Sequence, residues 1–132
     1  YLEFESFING TLTDLTDRKL KNAPEITGSL SLAYTLPLSD TLDARFRADA
    51  NYRTESFVDV ENSPLKSPDY AVLNLSGEFD LPFEGAALRL AVDNVTDKQV
   101  IISGFDGRAG FGFLEAYYSD PRRYSVTLSI KR

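Results

Sequence analysis

The chain has 132 residues, 20 acidic and 14 basic side chains, a formal charge of −6, and 42% apolar against 26% charged residues. An acid surplus is the wrong sign for phosphate contacts, so no nucleic acid is expected as a partner, and the apolar content excludes a disordered tail. Cys and His are both absent. Their absence removes disulfides, thiolate and imidazole metal ligands and the commonest general base, so no catalytic residue, metal site or cofactor is expected.

No run of 18 apolar residues offers a membrane helix, and neither a signal peptide nor a polybasic cluster is present. Met is absent too, and Tyr1-Leu2-Glu3-Phe4 opens in mid-alternation. Residue 1 is therefore expected to continue from an upstream segment.

Taken in chain order, the elements follow a period of two. A short first strand is expected around Tyr1 to Ile8, then a long polar loop over Asn9 to Glu25. From Ile26 to Leu36, Ile26, Gly28, Leu30, Leu32, Tyr34 and Leu36 fall on one face and Thr27, Ser29, Ser31, Ala33 and Thr35 on the other. A short Pro- and Asp-containing turn leads to Leu42–Arg53, where the sorting is sharpest. Leu42, Ala44, Phe46, Ala48, Ala50 and Tyr52 oppose Asp43, Arg45, Arg47, Asp49, Asn51 and Arg53. A helix would scatter these side chains around its circumference, whereas a strand separates them completely.

A second long loop is expected over Thr54 to Asp69. Leu73, Leu75, Gly77 and Phe79 then alternate with Asn74, Ser76 and Glu78, and after the short turn Asp80 to Ala86 come Leu88, Leu90 and Val92 against Arg89, Ala91 and Asp93. The longest loop runs from Thr96 to Arg122, and Tyr124, Val126, Leu128 and Ile130 alternate with Ser125, Thr127, Ser129 and Lys131 in the last strand.

Short turns alternate with long loops, and the two clearest strands match the roughly 9–11 residues that cross a bilayer at a tilt. The expected fold is all-β: an antiparallel, up-and-down transmembrane β-barrel segment, about six strands of a larger barrel. Alternation alone also fits a soluble lipocalin-like barrel with an apolar ligand inside, or an outer-membrane enzyme on a small barrel. Small residues at Ala44, Ala48 and Ala50 suit a lipid-facing stripe better than a soluble core, and the missing His disfavours the usual hydrolases.

Three segments carry a resemblance. Leu20-Lys21-Asn22-Ala23-Pro24-Glu25 is similar to the segment that opens a late barrel strand in TonB-dependent outer-membrane receptors. Asp93-Asn94-Val95-Thr96-Asp97 is similar to their Asn-Leu-Thr-Asp signature, and Asp120-Pro121-Arg122-Arg123-Tyr124 resembles the Pro-Arg-x-Tyr segment before their last strand. Order and spacing agree over essentially the whole chain. One departure is the end, where Arg132 stands in place of the family's usual terminal aromatic residue.

The resemblance implies that residues 1–132 are the C-terminal portion of a barrel of about 22 strands, with plug domain, TonB box and earlier strands outside them. It implies nutrient uptake, for instance of a ferric siderophore, with no covalent chemistry. The implied partners are outer-membrane lipid, TonB through the missing N-terminal region, and a small ligand such as an iron chelate. The implied location is the outer membrane of a Gram-negative bacterium, with the short turns in the periplasm and the long loops outside.

Under this reading Asp43, Arg45, Arg47, Asp49 and Arg53 face the lumen as cross-strand ion pairs. Tyr34 and Tyr52 suit interfacial girdles. In the longest loop, Phe105, Arg108, Phe111, Phe113, Tyr117 and Tyr118 are candidate ligand contacts; the alternative is that the aromatics pack on neighbouring loops or form a rim girdle. Gly107-x-x-Gly110-x-Gly112 superficially resembles a phosphate loop but lacks the flanking strand and helix. Asp59, Glu61 and Asn62 do not have calcium-loop spacing, so solvated loop charge is expected there.

Overall fold

The computed structural model describes residues 5–8, 11–14, 19–59 and 63–131. Its elements in chain order are β1 (Glu5–Ile8), β2 (Thr11–Asp14), β3 (Thr27–Pro37), β4 (Asp43–Arg53), β5 (Ser56–Phe57), β6 (Lys66–Ser67), β7 (Tyr70–Asp80), β8 (Ala86–Asp93), β9 (Ile101–Asp106), the single-turn α1 (Arg108–Phe111), β10 (Leu114–Tyr118) and β11 (Arg123–Ile130). The main sheet is an open antiparallel meander in the order β11-β8-β7-β4-β3. Five of the expected strands are thus neighbours in the order in which the chain makes them.

The expected first strand falls partly outside the described residues. Its remainder, β1, pairs with β2 in a two-stranded hairpin separate from the main sheet. The long loops also hold structure that alternation did not reveal: β5 pairs with β6, and β9 with β10.

Register carries the facial sorting across the whole sheet. Because opposed residues share a face, Leu36, Ala44, Phe79, Leu88 and Leu128 form one apolar row, and Tyr34, Phe46, Gly77, Leu90 and Val126 the next. Leu32, Ala48, Leu75, Val92 and Tyr124 form a third. Interleaved on the other face are Thr35, Arg45, Glu78, Arg89 and Thr127, and Ala33, Arg47, Ser76, Ala91 and Ser125. Phe46 and Phe79 meet edge to face at 5.7 Å over Gly77, whose lack of a Cβ leaves room for both rings.

Among the described residues, none covers either face of the sheet. Leu30, Phe46 and Leu75 are 61%, 41% and 42% exposed, so the apolar stripe does not line a closed dry interior. Strands β3, β4 and β7 are each 11 residues long. At about 3.3 Å per residue and a tilt near 45° they span about 25 Å, the height of the apolar band of a bilayer barrel.

One end of the sheet is tightly turned. Leu38 and Ser39 N–H both donate to Leu42 O (2.8 and 3.1 Å). At the next turn Leu81 N–H donates to Ala86 O (2.9 Å), and Lys131 N–H ties the end of the last strand to Gly85 O (2.9 Å). Gly85 has φ +69°, and a Cβ there would lie 2.5 Å from Lys131 O. At this end a dense ionic knot holds the polar face: Asp80 takes two bonds from Arg45 (2.8 and 3.0 Å) and the Asp43 N–H (3.0 Å).

At the opposite end lie 19–26, 54–59, 63–69 and 94–122. Phe57, Val58, Leu65 and Val100 are buried there. The rest of the buried apolar set, Ala44 and Ala86, sits by the short turns, so among the described residues the middle of the sheet contributes nothing to a core.

Candidate functional site

The loop end is assembled by polar side chains that close turns. Asn94 and Asp97 adopt left-handed backbone (φ +52° and +54°), which Asn and Asp tolerate better than most residues. The buried Asn94 amide donates to Lys98 O and Asp120 O (both 3.0 Å), and its oxygen accepts the Lys98 N–H (3.0 Å). Asp97 accepts the Arg122 N–H (2.8 Å); that bond, with the nearby Arg122 guanidinium, holds its carboxyl below the usual range. Arg123 pairs with Asp93 (3.0 Å) directly across β8 and β11. Two of the motifs singled out in sequence therefore meet and fix where the longest loop leaves and rejoins the sheet.

That loop is a two-faced hairpin. The opposed pairs Phe105–Glu115 and Ser103–Tyr117 lie on one face, and Asp106–Leu114 and Gly104–Ala116 on the other. The second face docks on the β5–β6 loop. Leu65, 2% exposed, fills the space at Gly104, where a Cβ would come within 2.8 Å of its methyl.

On the first face Phe113 lies between Phe105 (5.9 Å) and Phe111 (6.0 Å), and all three rings are exposed. The Gly107–Gly112 segment is the tip that makes this possible. Gly107 O receives N–H bonds from Gly110, Phe111 and Gly112, and Gly112 closes α1 at φ +73°. A Cβ on Gly107 would press on Phe105 at 3.0 Å.

The six candidate ligand residues are therefore divided by the structure. Phe105, Phe111 and Phe113 form one cluster. Tyr117 shares their face and donates its hydroxyl to Glu115, which raises the phenol pKa. Tyr118 is exposed beyond a register shift at Tyr117/Tyr118. Arg108 is held side-on by Asp106 through Nε (2.8 Å) and a terminal nitrogen (2.7 Å). This pair holds the Asp106 carboxyl well below the usual range, assisted by Ser63 and opposed by partial burial, and raises the Arg108 pKa.

The polar-face residues are likewise divided. Arg45 crosses strands to Glu78 (3.3 Å) and Asp80, and also meets Asp43 on its own strand (3.5 Å). Arg47 does not cross: it binds Asp49 two residues along the same strand at 2.7 Å, because that neighbour lies on the same face. Arg53 stands in the row Thr27–Arg53–Tyr70, and its Nε has no partner among the described residues.

One expectation is overturned. Asp59 is not a solvated loop charge but is 6% exposed. It accepts from Lys21 Nζ (2.5 Å) and from the Asp106 N–H (2.7 Å). Sequence gave no sign of this, because both partners are remote in the chain. Glu61 and Asn62 lie outside the described residues, and no cluster of three potential metal-ligating side chains occurs among the described ones.

An antiparallel meander with bilayer-length strands, one apolar and one ion-laced face, tight turns at one end and packed loops at the other is a wall segment of a transmembrane β-barrel. The chain belongs to the family described as TonB dependent receptor-like, beta-barrel, whose model matches residues 1–95. This is a family of outer-membrane receptors and transporters rather than enzymes. Comparison with curated proteins and with solved structures gave no match. The matched span includes Leu20–Glu25 and reaches Val95, while the Asp120–Tyr124 segment beyond it is joined to that span by the Arg123–Asp93 pair.

Proposed function

We propose that residues 1–132 are the C-terminal barrel strands of a Gram-negative outer-membrane receptor that takes up a scarce small ligand, such as a ferric siderophore, using energy delivered through TonB. The plug and the TonB-contacting segment belong, in this reading, to chain outside these residues. The supporting observation is the sorting of both faces in one continuous register, with apolar rows such as Leu32–Ala48–Leu75–Val92–Tyr124 alternating with rows of ions and hydroxyls.

The apolar rows then meet lipid, and Asp43, Arg45, Arg47, Asp49 and Arg53 face an aqueous lumen. An arginine turned to lipid near the midplane costs about 2–4 kcal/mol, so Arg47, close to the middle of β4, opposes the reverse orientation. The tight turns lie in the periplasm and the loop cluster outside. There Phe105, Phe111, Phe113, Tyr117 and Tyr118 form the ligand surface, with Arg108 supplying the donors that Asp106 leaves unused. A soluble barrel around an apolar ligand would need Leu30, Phe46 and Leu75 enclosed, and all three are exposed on an open sheet.

Orientation is testable because these residues contain no Cys. Single Cys replacements of Leu32, Leu75, Ser76 and Ser125 in the full receptor, in native outer membranes, should divide by face. Ser76→Cys and Ser125→Cys react with a small water-soluble maleimide once the plug is displaced; Leu32→Cys and Leu75→Cys do not. Equal labelling of all four would end the proposal. For the ligand, removing 101–118 should abolish uptake of radioiron from the producing strain's own siderophore while leaving heat-modifiable barrel on gels. Undiminished uptake would remove the hairpin from the site.

A further inference from the structure

We propose that Asp59 is a positioning residue that couples the three long loops, so that the aromatic hairpin and the 19–26 segment are held in place by one carboxylate. The geometry is unusual for a loop acid. Asp59 sits in the β5–β6 loop, is nearly inaccessible, and reaches into two other loops at once. One oxygen binds Lys21 (2.5 Å) and the other the Asp106 N–H (2.7 Å). A carboxylate with little access to water is stabilised only by such charged or N–H partners, so both contacts are strongly favoured over solvent.

Each contact is extended by a second one nearby. On one side Asn22 N–H donates to Phe57 O (2.7 Å), which seats the 19–26 segment against β5. On the other, Asp106 is the residue whose side chain clamps Arg108 at the hairpin tip, and Leu65 packs at Gly104 two residues earlier. Asp59 therefore lies between a cation from the first loop and the backbone of the third. Movement of the β5–β6 loop carries both with it. The coupling rests on loop geometry and does not depend on which ligand the aromatics meet, so its failure would leave the uptake proposal standing, and the reverse also holds.

The two oxygens have different partners, and this makes the coupling separable. Asp59→Ala removes both contacts. Asp59→Asn keeps an oxygen for the Asp106 N–H but cannot ion-pair with Lys21, and Lys21→Met removes the same ion pair from the other side. Hydrogen exchange followed by mass spectrometry on the full receptor in nanodiscs reads each loop separately.

In Asp59→Ala, exchange at 21–22 and at 104–107 should both rise by roughly ten- to a hundredfold, the scale of losing charged hydrogen bonds, while β3, β4 and β7 stay protected. In Asp59→Asn and Lys21→Met only 21–22 should rise. Should Asp59→Ala fail to assemble, these two variants still test the separation. The proposal is overturned if Asp59→Ala leaves either loop unchanged, if the sheet loosens equally with the loops, or if Lys21→Met frees the 104–107 segment as much as the 21–22 segment.

Discussion

The meander and the loop cluster place their apolar side chains in opposite ways. Along the sheet, Leu30, Leu32, Tyr34, Val126 and Leu128 stand exposed in ordered rows, and nothing among the described residues covers them. At the loop end, Phe57, Val58, Leu65 and Val100 are buried among short strands and turns. The sheet keeps its geometry through backbone pairing and takes its solvent from outside, as a bilayer wall must. The loop cluster has too few hydrogen-bonded strand residues for that and depends on a small core plus side chains that close turns, Asn94 and Asp59 chief among them. Long strands hold an exposed apolar face in place through their backbone ladders; short ones need burial and polar ties.

Substitutions that affect only one of the two regions sharpen this contrast. Leu65→Ala should have the largest effect, about 2–5 kcal/mol of local stability for a fully buried leucine. It should appear as faster exchange in β9 and β10 with an unchanged urea midpoint for the barrel in lipid; a global shift would mean that the regions are one cooperative unit. Leu75→Arg does the reverse: about 2–4 kcal/mol lost from barrel stability in bilayers, with loop exchange unaffected. A neutral Leu75→Arg would break the assignment of the apolar face to lipid. Gly85→Ala should cost about 1–3 kcal/mol through its positive φ and the close Lys131 carbonyl, read as a lower unfolding midpoint with fraying confined to the tight-turn end.

The smallest effect is acid sensitivity at the hairpin tip. Arg108 holds Asp106 below the usual carboxylate value, which is about 3.9. A depressed folded pKa contributes stability that is fully present above the unfolded value and is lost as pH falls below it. Between about pH 5 and about pH 2, exchange at 107–113 should rise before that of β3 and β4, and Arg108→Met should remove the pH dependence of this step. An equally acid-sensitive tip in Arg108→Met would show that the pair does not hold it.

Much of the sheet was legible because its signal is local. Alternation predicts β4 over Leu42–Arg53, and the strand runs Asp43–Arg53; it predicts β3 over Ile26–Leu36, and that strand runs Thr27–Pro37. Alternation over eleven residues leaves little freedom of face or register. The loop hairpins carry no such signal, for the opposite reason. Ser56–Phe57 is too short to alternate, and Ile101–Asp106 has Gly104 where a side chain would define a face. The aromatic cluster was half legible: the residues were conspicuous, but which rings meet depends on the turn at Gly107 and Gly112.

The sequence by itself determined the all-β class, the strands of the meander, the two faces and the alternation of tight turns with long loops, because each follows from side chains only two residues apart. Tertiary structure alone decided that Asp59 is buried between Lys21 and the Asp106 amide, that Leu65 fills the gap at Gly104, and that Arg47 pairs along its strand while Arg45 pairs across. Those contacts join residues up to 47 positions apart, and no local periodicity encodes which remote group will arrive beside a given carboxylate.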